Sequence, residues 1–106
     1  MTNLEKFIDH NSKKSIIVVQ GLGFVGSVMS LVCANAINCD YAVIGVDVST
    51  ERGKKITNDL NNGIFPLIAE DPKIDQFFKK TKEKGNFYAT TETGAYKVAD
   101  IIIVDI

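Results

Sequence analysis

Three glycines and one carboxylate stand at spacings that could do chemistry. Gly21-Leu22-Gly23-Phe24-Val25-Gly26 is a G-x-G-x-x-G run. It follows the branched stretch Ile16-Ile17-Val18-Val19-Gln20 and precedes a segment with apolar residues at helical spacing, which places it at a strand-to-helix turn. In that setting Gly21 permits a tight turn, Gly23 leaves the backbone open to a pyrophosphate, and Gly26 lets the helix pack closely on the strand. Backbone N–H groups at the helix start, near Phe24 and Val25, face the phosphates, and the helix dipole adds favourable potential. Asp47 ends the next branched run, Val43-Ile44-Gly45-Val46, about 20 residues past Gly26, the distance at which an acid meets the ribose of a bound dinucleotide. A carboxylate there accepts hydrogen bonds from ribose hydroxyls and repels a 2′-phosphate, so the ligand is read as NAD rather than NADP. Arg52 either lies over the adenosine end of that ligand or pairs with Asp47.

These residues need a scaffold, and the rest of the chain supplies its pattern. Ser15 to Val19 is a strand buried on both faces, and Tyr41 to Val46 is a second. Between them Val25, Val28, Met29, Val32, Cys33 and Ala36 mark one apolar helical stripe. Ser49 or Thr50 caps a second helix that carries Ile56 and Leu60 and ends near Asn62-Gly63. Gly53 inside it weakens the helix by about 1 kcal/mol relative to Ala. Ile64 to Glu70 is a loop. Asp71-Pro72 starts a third helix, with Ile74, Phe77 and Phe78 inward and Gly85 as its stop. Phe87 to Ala89 is a short strand, Thr91 to Ala99 a short helix, and Ile101 to Val104 a last, buried strand. This alternation predicts an α/β, Rossmann-like open parallel sheet of about four strands with helices on both faces. Residues 1–14 form a polar leader with a short amphipathic helix (Leu4, Phe7 and Ile8 on one side), and residues 15–106 form the dinucleotide-binding domain. The last strand stops without a following helix, so the domain reads as truncated, with more chain expected to follow.

Composition narrows the function. With 106 residues, 45% hydrophobic and 24% charged, the chain suits one domain with one core. A net charge of -1 gives no sign of a nucleic-acid partner. No apolar run approaches the roughly 20 residues of a membrane span. The acidic, polar start is not a signal peptide, and a cytoplasmic location is expected. Cys33 lies on the apolar helix stripe and Cys39 has nothing nearby to activate it, so neither is a nucleophile. His10 is an exposed leader residue. Lys79, Lys80, Lys82 and Lys84 are a solvated helix end. No metal-ligand cluster is present, and no set of catalytic residues is found.

Four segments together resemble the nucleotide-sugar dehydrogenases of the UDP-glucose and GDP-mannose type. The first is Gly21-Leu22-Gly23-Phe24-Val25-Gly26, and the second is Val46-Asp47 with Arg52 five residues on. The third is Leu60-Asn61-Asn62-Gly63-Ile64-Phe65-Pro66 followed by Glu70. The fourth is Ala89-Thr90-Thr91-Glu92, then Ala95 and Ala99-Asp100-Ile101-Ile102-Ile103. The resemblance implies an NAD-dependent oxidoreductase of polysaccharide biosynthesis that oxidises the C6 alcohol of a UDP- or GDP-sugar to a carboxylate. It further implies a catalytic Cys, a Lys, an Asn and acids beyond the matched stretch, and a homo-oligomer. The chain alone is expected to bind NAD without turnover. Three features depart from the family pattern: a longer gap from Gly26 to Asp47, Gly53 where an apolar residue is common, and Asp105 where a Thr-Pro segment usually follows. Two other readings share the front half. One is a 3-hydroxyacyl-CoA or 6-phosphogluconate type of dehydrogenase, against which the N-N-G-x-x-P and A-T-T-E segments argue. The other is a regulatory module that senses NAD(H) without catalysis.

Overall fold

The computed structural model describes residues 2–36, 39–65 and 72–104. In chain order its elements are α1 (Asn3–His10), β1 (Ser15–Gln20), α2 (Phe24–Ala34), β2 (Tyr41–Val46), α3 (Glu51–Asn61), α4 (Pro72–Lys84), β3 (Phe87–Thr90), a 3-10 turn (Thr93–Val98) and β4 (Ile101–Val104). The four strands form one sheet in the order β3-β2-β1-β4, and every pairing is parallel. The chain therefore steps outward from β1 to β3 and then returns to the other side of β1. Strand order reverses beside β1, and in open parallel sheets ligands bind beyond the strand ends at such a reversal.

Alternation along β1 and β2 divides the core. Ile16, Val18, Ala42 and Ile44 point to one face, where they meet Leu4 of α1 and Ala95 of the 3-10 turn. Ile17, Val19 and Val43 point to the other, against Ala34 of α2, and Leu31, Leu60 and Phe78 extend that layer across α2, α3 and α4. The leader helix is thus part of the packed body. Its capping box joins Thr2 and Glu5, Phe7 stacks on Tyr88 at 5.7 Å, and the buried Asn11 amide donates to the Phe7 and Gly85 carbonyls. His10 is exposed, as are the lysines at the end of α4. Gly85, at φ 65, stops that helix, and Gly63, at φ 82, follows α3.

The structure corrects four expectations. The apolar stripe assigned to α2 is not its buried face: Val25, Met29 and Val32 are exposed, and Val28, Cys33 and Ala36 are half-buried. The inward face is Gly26, Ser27, Ser30, Leu31 and Ala34. A helix apolar around most of its circumference has no unique stripe, and small residues allow the closer approach to the strands. The two serine hydroxyls donate back to the Leu22 and Gly26 carbonyls and need no water. The strand Ile101–Val104 is not buried. Ile102 is 49% exposed, because β4 is an edge of the described sheet and Ile103 alone of its residues is half-buried against the core. The segment after Thr91 is a 3-10 turn over Thr93–Val98 rather than an α-helix over Thr91–Ala99. Finally, Gly53 is a steric requirement rather than a weakness. A Cβ there would collide with the Val48 carbonyl oxygen. The N-cap of α4 expected at Asp71, residues 66–70 of the expected loop Ile64 to Glu70, and Asp105 lie outside the described residues.

Candidate functional site

The site lies where β1 and β2 end side by side. β1 runs out at Gln20, and the Gly21 N–H still donates to the Val46 carbonyl at 2.8 Å, so the ladder continues one step into the bend. Gly21 then turns with φ 96, a conformation that side-chain-bearing residues rarely adopt. Leu22 is fully buried and seats against β2 at Gly45, where a Cβ would come within 2.5 Å of the leucine. α2 starts with Gly23 as N-cap and has no side chain bonded to its first N–H groups. Its N-terminal amides therefore remain open to an outside acceptor.

Gly23 itself meets nothing. A Cβ added there would meet nothing within 4 Å beyond its immediate chain neighbours. Packing gives no reason for glycine at this position, whereas a ligand held close to the backbone does. This is the fit expected of a pyrophosphate cradle.

Asp47 follows β2 directly and is half-buried. Its Oδ2 accepts the Leu22 N–H at 3.0 Å, and its Oδ1 accepts the Val48 N–H at 2.7 Å. The carboxylate is thereby fixed against the glycine bend. A carboxylate offers about four acceptor positions, so about two remain for an approaching diol.

Arg52 projects from the first turn of α3, where Thr50 caps the helix by accepting the Gly53 N–H at 3.1 Å. It is exposed, and no ion pair joins it to Asp47. Of the two roles open to Arg52 in the sequence, pairing with Asp47 is not seen in this structure. A cavity of about 460 Å³ brings together Gly21, Gly23, Val25, Asp47, Arg52 and Gly53. Phe24 and Gly26 complete the bend in the first turn of α2. All seven residues singled out in the sequence thus lie on two adjacent turns. Sequence reasoning missed Leu22, Gly45 and Gly53 as parts of the site's frame. Gly45, a lone glycine in a branched strand, was the available signal that something approaches the backbone closely.

The two cysteines are set apart from this site. Cys33 is half-buried and packs against the β1 core, and burial raises its thiol pKa; Cys39 is exposed. Among the described residues no group of three His, Cys, Asp or Glu side chains could hold a metal, and no helix is long and apolar enough to cross a membrane.

Comparison with known proteins agrees with this geometry. None of the curated proteins matches the chain. Among solved structures, NDP-N-acetyl-D-galactosaminuronic acid dehydrogenase from Methanosarcina mazei Go1 matches all of it with a TM-score of 0.78 and 26% identity. GDP-mannose dehydrogenase from Pseudomonas aeruginosa matches 85% of it with a TM-score of 0.65 and 26% identity. UDP-D-ManNAc dehydrogenase from Pyrococcus horikoshii shares the fold over 86% of the chain, with a TM-score of 0.70 and 24% identity. The chain spans 22%, 19% and 20% of those three proteins respectively. The NAD binding domain of the UDP-glucose/GDP-mannose dehydrogenase family matches residues 15–106, and this chain belongs to that family.

Proposed function

We propose that this chain holds NAD at the bend after β1, and that it serves a nucleotide-sugar dehydrogenase acting on a UDP- or GDP-linked sugar. The observation that carries the reading is the bond from the Leu22 N–H to Asp47 Oδ2, which locks a carboxylate beside a bend whose amides and open Gly23 suit a diphosphate.

The residues divide the work as follows. Gly21 sets the turn, and Gly23, Phe24, Val25 and Gly26 present backbone N–H groups to the pyrophosphate. Asp47 accepts from the ribose diol and disfavours a 2′-phosphate by like charge. Arg52 lies over the adenosine end from the α3 side. When bound, NAD supplies the hydride acceptor for alcohol oxidation. In the whole protein the reaction turns the C6 alcohol of the sugar into a carboxylate. This chain supplies cofactor binding alone, and residues outside it supply nucleophile and acid–base chemistry. Homo-oligomeric assembly and a cytoplasmic setting complete the proposal.

The test is a thermal melt of the 106-residue chain with NAD or NADP. Ligand at a hundredfold its Kd stabilises the folded state by about 2.7 kcal/mol. NAD should raise the melting temperature, and NADP at the same concentration should raise it much less. A folded chain whose melt is unmoved by saturating NAD would overturn the assignment.

A further inference from the structure

The two edges of the sheet are finished differently. At β3 the Asn61 side chain takes the N–H and C=O of Ala89, so that edge is guarded at its centre. β4 has no such guard. It pairs with β1 alone, in a register running from Ile17↔Ile101 to Gln20↔Val104.

The ladder tells which backbone groups of β4 stay free. The Gly21 N–H reaches the Val46 carbonyl, so Gly21, Val19 and Ile17 turn their groups toward β2. Val18 and Gln20, between them, turn theirs toward β4. In a parallel ladder such a residue bonds the two neighbours of the residue opposite it. Ile101 and Ile103 therefore spend their groups on β1, and Ile102 and Val104 present theirs outward.

Nothing in the sequence keeps this edge from pairing. The strand is Ile-Ile-Ile-Val, with neither charge nor proline, the usual devices that hold edges apart. Asp100, the adjacent acid, is turned inward and accepts the Ile16 N–H at 2.8 Å. The side chains of Ile102 and Val104 are exposed.

An antiparallel copy related by a two-fold axis at Ile103 answers all four free groups. Ile102 then lies opposite Val104 of the copy and exchanges both hydrogen bonds with it, and Val104 does the same with Ile102. An axis at Ile102 would instead call on the Asp100 N–H, which already donates to the Ile16 carbonyl. The exposed apolar side chains meet across the same contact. The guard at β3 opposes further addition, so assembly closes at two copies rather than growing into a fibre.

We propose that β4 is a self-complementary docking surface whose occupant is β4 of a second copy, which joins the two sheets into one about an axis at Ile103. This gives an interface to the homo-oligomer proposed above and is independent of the NAD reading.

The experiment is sedimentation equilibrium of the 106-residue chain over a range of concentrations, each variant first checked for a cooperative melt. The wild-type chain should approach twice the monomer mass and go no higher. Ile102→Lys and Val32→Lys alter residues of equal exposure, 49%, the second on the face of α2 turned from the sheet. Ile102→Lys should weaken the dimer at least about tenfold, and Val32→Lys should leave it within about twofold. Disulfide trapping reads the register. In a background of Cys33→Ser and Cys39→Ser, Ile103→Cys faces its own copy at a Cα separation of about 4.5 Å and should crosslink under diamide. Ile101→Cys lies about 13 Å from its copy and should not. A dimer that Ile102→Lys leaves intact, or that Ile101→Cys traps and Ile103→Cys does not, overturns this interface and leaves the homo-oligomer standing. Growth beyond two copies overturns the closed pair. A wild-type chain that stays monomeric throughout overturns both the interface and the self-association of this chain, with NAD binding unaffected.

Discussion

One carboxamide, that of Asn61, takes both backbone groups of Ala89: Oδ1 accepts the N–H at 2.9 Å and Nδ2 donates to the C=O at 2.7 Å. β3 is an edge strand, and this side chain does for it what a neighbouring strand would do. The contact also ties the end of α3 to the strand that leads into Thr91. Asn61→Ala leaves both groups without that partner. It should lower stability by about 1–3 kcal/mol in urea titration and increase concentration-dependent association in sedimentation. Unchanged values on both counts would show that water replaces the amide at no cost.

Gly53→Ala tests the packing of α3 on the loop before it. Helix propensity alone predicts a gain of about 1 kcal/mol. The Val48 carbonyl oxygen occupies the place of the new methyl, so the structure predicts the opposite sign. A loss of about 1–3 kcal/mol is expected from overpacking, with weaker NAD binding because Gly53 lines the cavity beside the glycine bend. Urea denaturation and calorimetry give the two readouts.

Asp47→Asn keeps the shape of the side chain and removes its charge. Hydrogen bonds to a charged group are worth about 1.5–3 kcal/mol, so NAD affinity should fall by roughly that amount. NADP affinity should fall less or rise, since repulsion of a 2′-phosphate is relieved. Equal losses for both cofactors would remove Asp47 from the choice between them.

Stability should decline at high pH. Burial raises the pKa of Tyr88 above its ordinary 10.0, with a further push from Glu92, and burial does the same for Tyr96 with a further push from Asp47. Above about pH 10 the unfolded chain gives up these protons while the folded chain keeps them, so unfolding is favoured as pH climbs. The melting temperature should be flat in this respect below pH 10 and fall beyond it. Tyr88→Phe should flatten that decline. A melt independent of pH up to 11 would contradict the burial of these phenols.

The cysteines should react unequally. Cys39 is exposed, whereas Cys33 is half-buried with a raised pKa. Maleimide at neutral pH should label Cys39 at least tenfold faster, since the thiolate is the reactive form. Mass spectrometry of the partly labelled chain reads this directly.

Local chemistry made much of the fold legible. Branched runs at Ser15–Gln20 and Tyr41–Val46 have few options besides buried parallel strands, and the glycine run between strand and helix permits few ligands besides a diphosphate. Thr50 as a cap and the stops at Gly63 and Gly85 follow from backbone preferences that act over a few residues.

What sequence could not decide was which of several equivalent local choices the packing selects. α2 is apolar nearly all round, and only the sheet beneath it chose Gly26, Ser30 and Ala34 over Val25 and Val32. The strand order made β4 an exposed edge, although Ile101-Ile102-Ile103-Val104 reads as core. Arg52 had two roles open to it, and in the fold it makes no ion pair with Asp47, whose oxygens accept the Leu22 and Val48 amides. Asn61, Gly45 and Gly53 have meaning only through residues distant in space or folded back from the next turn. Periodicity and caps are properties of neighbours along the chain, whereas burial, edges and shared hydrogen bonds arise only once separate segments have been brought together.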